Sequence, residues 1–149
     1  MTVTMKVEGL EDLSRQMRKA SDETHKAVDR ILMKTAIGLR SDVLRMMYRF
    51  PARGKLYVRT SPSGNVVKHR ASQAGDPPAV DTGRLANSAS WDVSSKPLQV
   101  TIGSKLAYAA HLEYGTRKMG ARPVWRPMLE KTTPKLKRDL EAAIGRALK

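Results

Sequence analysis

The chain has no cysteine among its 149 residues, which excludes a disulfide frame, a thiol nucleophile and any cysteine-held metal. Aromatic side chains make up only 5%, with a single Phe, in a total of 40% hydrophobic residues. The core must therefore be built from Leu, Val, Ile, Met and Ala, and so thin a core favours partner subunits that bury further surface. No apolar run approaches the ~20 residues that a membrane helix needs, so no membrane partner is expected. The opening MTVTMKVEGL has neither the basic start nor the apolar stretch of a secretory signal. Acidic residues are also scarce, 14 against 28 Lys and Arg, for a net charge of +14. The excess runs through 1–50, 51–80 and 81–149 instead of gathering in one tail. Such a balance favours contact with a polyanion or an acidic protein face. Charge alone leaves an ordinary solvated surface equally open.

The length suits one domain, 1–149, in which roughly 70% of the unfolded surface is hidden on folding. Thr2 to Val7 alternates weakly, as an edge strand would, and Leu10, Leu13 and Met17 place a helix over Leu10–Ala20. Ser21 is a candidate N-cap with Asp22 and Glu23 in the first turn behind it. From Val28 to Met47 apolar residues return every three or four positions, which predicts a long amphipathic helix ending near Arg49, ahead of Phe50-Pro51. Residues 56–60 and 66–70 flank Ser61-Pro62-Ser63-Gly64 and predict a projecting β-hairpin within 51–75. Its cations Arg53, Lys55, Arg59, Lys68 and Arg70 are candidates to face a neighbouring protein, DNA or both.

Asp81-Thr82 then suits a cap for a short helix through Asn87. Ala89–Ser94 and Leu98–Gly103 alternate as two antiparallel strands. A helix over Leu106–Tyr114 stops at Gly115. Pro123 and Pro127 bracket an extended piece, and a last helix runs to Lys149 with Leu129, Leu136, Leu140, Ile144 and Leu148 on one stripe and a kink or break at Pro134. The expected fold is α+β: an antiparallel sheet with the long N-terminal helix and the C-terminal helix on one face, plus the basic hairpin.

Reaction chemistry finds little purchase. Asp81-Thr82-Gly83 matches the tripeptide of aspartic proteases, but that chemistry pairs two such carboxylates across an almost all-β dimer. Here a capped turn explains the residues. The three histidines, His25, His69 and His111, have no metal-ligand spacing. No catalytic residue, metal or cofactor is expected. Arg117, Lys118, Arg122 and Arg126 form the densest basic stretch, between Tyr114 and Trp125. It is either a face for phosphate or an acidic partner or a solvated loop whose aromatics pack down.

Three blocks occur in order: Ala79-Val80-Asp81-Thr82-Gly83-Arg84-Leu85, then Ala107-Tyr108 through Glu113-Tyr114-Gly115-Thr116, then Arg122-Pro123 through Pro127. Together they resemble the siphophage tail-completion or neck proteins, also described as head–tail joining or minor tail proteins. The resemblance covers nearly the whole chain. It implies a non-enzymatic virion subunit, assembled in the host cytoplasm into a homo-oligomeric, sixfold ring. Its partners would be the head connector or head-completion protein, the tail terminator or tail tube protein, and the DNA in the channel. A nucleic-acid-binding protein with no ring role is the alternative.

Overall fold

A computed structural model describes residues 2–4, 22–93 and 99–147. Its longest element is helix α1 (Asp22–Arg49). Val28, Leu32, Ala36, Leu39, Val43 and Met47 recur at steps of four and three and are all buried. That single stripe, more than intrinsic propensity, holds the helix. The helix ends where expected, with the Phe50 N–H donating back to the Met46 carbonyl (3.1 Å) just before Pro51.

Three strands form an antiparallel sheet in the order β1 (Thr2–Thr4), β5 (Val100–Ser104), β4 (Ala89–Val93). Pairing sets Trp91 opposite Ile102 and Ala89 opposite Ser104, so these residues share a face with Val100. That face meets α1. Helix α4 (Trp125–Ala147) lies along α1. Near the start of α1, Val28, Leu32 and Ala36 pack with Val100 and with Leu136, Leu140 and Ile144 of α4. Toward its end, Leu39, Val43 and Met47 pack with Ala86, Ala89, Ile102, Val124 and Trp125. Trp91 touches both clusters. The class is α+β, as the sequence predicts.

The remaining elements are strands β2 (Leu56–Thr60) and β3 (Val66–Arg70), paired as a separate hairpin, and helices α2 (Arg84–Asn87) and α3 (Ala107–Tyr114). The expected helix over Leu10–Ala20, the Ser21 cap, the strand residues Ser94 and Leu98, and the stripe residue Leu148 lie outside the described residues.

The break expected as one outcome at Pro134 is corrected, and so is the extended piece expected to end at Pro127. Helix α4 is not broken at Pro134 but runs through it. Pro134 and Glu130 are both exposed, so the carbonyl that loses its N–H partner sits on the side that water reaches. Pro127 does not close an extended piece. It lies in the first turn of α4, where proline is tolerated because its missing N–H has no intrahelical acceptor.

Candidate functional site

The three sequence blocks meet where α3 hands the chain to α4. Glu113, near the end of α3, is only 2% exposed. Its Oε2 accepts hydrogen bonds from the backbone N–H groups of Val124 (2.8 Å) and Trp125 (3.1 Å), and its Oε1 from that of Arg126 (2.8 Å). A helix leaves its first four N–H groups without intrahelical acceptors. In α4 the carboxylate takes three of them, and Pro127 supplies none. Glu113 and Pro127 thus complete the N-terminus of α4 between them, with the negative charge at the positive end of the helix dipole. The sequence of α4 offers no local cap: Val124 stands where Ser, Thr, Asp or Asn would be expected.

The intervening loop is held at both ends. Gly115 terminates α3 at φ 77° and ψ −179°. Thr116 and Met119 exchange backbone hydrogen bonds (2.8 and 3.2 Å), which leaves Arg117 and Lys118 exposed at the tip of the turn. The Arg122 N–H donates to the Leu112 carbonyl (2.6 Å) and the Gly75 N–H to the Ala121 carbonyl (2.7 Å). At the other end of α3, the Ser104 hydroxyl lies 2.7 Å from that of Ser88 and accepts the Leu106 N–H (3.1 Å).

The basic residues separate into two groups. Arg59 is engaged: its guanidinium meets the Asp81 carboxylate through two hydrogen bonds of 2.7 Å, with His69 Nδ1 3.8 Å away. Arg70 donates to the Gly54 carbonyl (3.2 Å), Arg53 lies over Phe50, Lys55 over Tyr57 and Arg126 over Tyr114. Arg122 is partly buried, with its NH1 group 3.6 Å from Met119 Sδ. Lys68, Arg84, Arg117 and Lys118 are exposed. Of the two aromatics that flank the basic stretch, Trp125 packs into the core while Tyr114 stays exposed.

The expected role of Asp81 is corrected. The residue at the start of α2 is Gly83, in the left-handed region at φ 77°, and no side chain caps it. Asp81 instead ties the hairpin to the body. Both charges of that pair are solvent-accessible, the Arg59 side chain by half. Asp81→Ala should therefore cost less than about 1 kcal/mol of global stability, while amide exchange in 56–70 should speed up. A loss as large as a missing helix cap would restore the original assignment.

A cleft of about 230 Å3 lies between the hairpin and the first two blocks, with Asp81, His69, Arg84, Tyr108 and Arg122 among its lining residues. Asp81 is the only carboxylate among the described residues that line it. Among the described residues no three His, Asp or Glu side chains are grouped to hold a metal.

The arrangement is that of a structural frame: motif residues brace a loop and a helix start, and basic side chains stand on exposed turns and strands. The sequence profile of the HK97-gp10-like family, described as "Bacteriophage HK97-gp10, putative tail-component", matches residues 11–115, more than half of the chain. The chain belongs to this family of phage tail components. Neither the curated proteins nor the solved structures gave a match. Membership agrees with the resemblance drawn from the three blocks, and the virion follows as the place of action.

Proposed function

We propose that the protein is a non-enzymatic subunit of a ring at the head–tail junction or tail top of a long-tailed phage, acting as one domain without a cofactor. The observation that carries this reading is a second apolar stripe on α1. One face of the helix is spent on the core, yet Met33, Ile37 and Tyr48 are 44, 48 and 59% exposed and share a side with half-buried Leu44. Their spacing keeps them within one narrow arc of a helix roughly 42 Å long. A neighbouring copy packed head-to-tail would cover such a stripe, and repeated contacts of that kind close into a ring. The ring is read as sixfold, stacked between the head connector or head-completion protein and the tail terminator or tail tube. Passage of DNA through the channel would account for the charge of +14.

Quantitative mass spectrometry of purified particles tests the reading: several copies per particle are expected, and a single copy sinks it. The competing reading, a free nucleic-acid-binding protein, draws on the exposed cations Arg117 and Lys118. It predicts salt-sensitive affinity of the isolated chain for duplex DNA and no copies in purified particles.

A further inference from the structure

The β2–β3 hairpin has two unlike faces. Antiparallel register places Tyr57 with His69 and Arg59 with Val67 on one face, and Leu56 with Arg70, Val58 with Lys68 and Thr60 with Val66 on the other. The first face is tied to the body, where Arg59 pairs with Asp81 and Val67 and His69 are half-buried, while Tyr57 stays 53% exposed beside Lys55. All six residues of the second face are exposed, with Leu56 at 45%, Val58 at 59% and Val66 at 64%. Three aliphatic side chains on one sheet face forgo their burial energy in the isolated chain. Lys68 and Arg70 stand beside them. No carboxylate occurs from Phe50 to Gly75, and Asp81, which neutralises Arg59, lies against the opposite face.

We propose that this outward face docks onto a different virion protein, one that presents an apolar patch rimmed by Asp or Glu carboxylates. The proposal rests on the reading of the chain as a junction subunit. Complementarity selects the occupant. The aliphatic centre needs an apolar counterpart, which a phosphate backbone does not offer; a nucleic-acid face would present cations without the aliphatics. A second copy of this chain brings like charge. Its exposed apolar stripe on α1 is bordered by Lys26, Arg30 and Lys34, and Lys68 or Arg70 set against those would be repelled. An acidic-rimmed surface satisfies both parts of the face.

Two measurements on assembled particles test the docking. Carbodiimide treatment of purified particles joins an amine to a carboxylate it touches, so digestion and mass spectrometry should find an amide between Lys68 and an Asp or Glu of another virion protein. In addition, Val58→Ser with Val66→Ser should cut the yield of infectious particles by on the order of tenfold or more when supplied to a phage lacking this gene. The same pair should leave the melting curve and the affinity for a short DNA duplex unchanged. A Lys68 amide formed only to this chain's own sequence would assign the face to a second copy and overturn the proposal. So would full yield from the serine pair, or a yield lost in Lys68→Gln with Arg70→Gln but kept in the serine pair, which would assign the face to DNA. Several copies per particle alongside any of these results would leave the ring reading standing and remove only this docking surface.

Discussion

Glu113→Ala is expected to lower the unfolding free energy by on the order of 3–5 kcal/mol, at the upper end of what single substitutions cost. Removal of the carboxylate leaves the N–H groups of Val124, Trp125 and Arg126 without their acceptor in a place where Val124 and Trp125 are almost fully buried. Each unmet buried donor costs about 1–3 kcal/mol, and the three are lost together. Against a typical stability of ~5–15 kcal/mol, the alanine chain would be left partly unfolded or unable to fold. Glu113→Gln should be milder, on the order of 2 kcal/mol, because its carbonyl oxygen can replace one carboxylate oxygen while its NH2 group faces a donor where an acceptor is needed. Urea unfolding gives the sizes, and the near-ultraviolet signal, to which Trp91 and Trp125 both contribute, reports the packing around the helix start. If Glu113→Ala shifts stability by less than about 1 kcal/mol, the carboxylate does not hold α4.

The contrast between Glu113 and Asp81 shows what a sequence carries and what it does not. The limits of α1, both hairpin strands and the α+β class were legible because each rests on periodicity within one segment. Asp81-Thr82 satisfied the local rule for a helix cap, but α2 has only four residues and starts on Gly83, leaving the carboxylate free for Arg59. Glu113 breaks that local rule in the other direction. It serves a helix that begins twelve residues later, through a loop whose path no spacing in the sequence fixes. Its signal was indirect: α4 begins on Val124-Trp125-Arg126-Pro127, with no side chain able to cap it. The five cations of the hairpin could be counted from the sequence, but strand pairing was needed to show that Arg59 faces the body and Lys68 and Arg70 face away. Of these candidates for an interface, Arg59 is held by Asp81 on the body side.

Gly115→Ala is the second substitution expected to be severe, costing about 3 kcal/mol or more through backbone strain and overlap together. At φ 77° and ψ −179° the residue occupies a region open almost only to glycine. A Cβ there would also lie 2.8 Å from the Met119 carbonyl oxygen and 2.9 Å from the Ala121 nitrogen. Both atoms belong to backbone that cannot easily retreat. Met119 is bonded to Thr116, the Ala121 carbonyl to Gly75, and the next residue, Arg122, to Leu112. Any shift that relieves the overlap would drag residues 121–126 and pull the Val124, Trp125 and Arg126 amides away from Glu113. Gly64 supplies the control, because its φ is also positive, at 81°, but its Cβ would meet nothing within 4 Å. Gly64→Ala should therefore cost only the conformational part, about 1 kcal/mol. Equal losses in the two variants would show that the 116–121 loop yields freely. A double variant of Gly115→Ala with Glu113→Gln should lose less than the two single losses added, because each already loosens the start of α4. Strict additivity would mean that the glycine and the carboxylate do not act on the same joint.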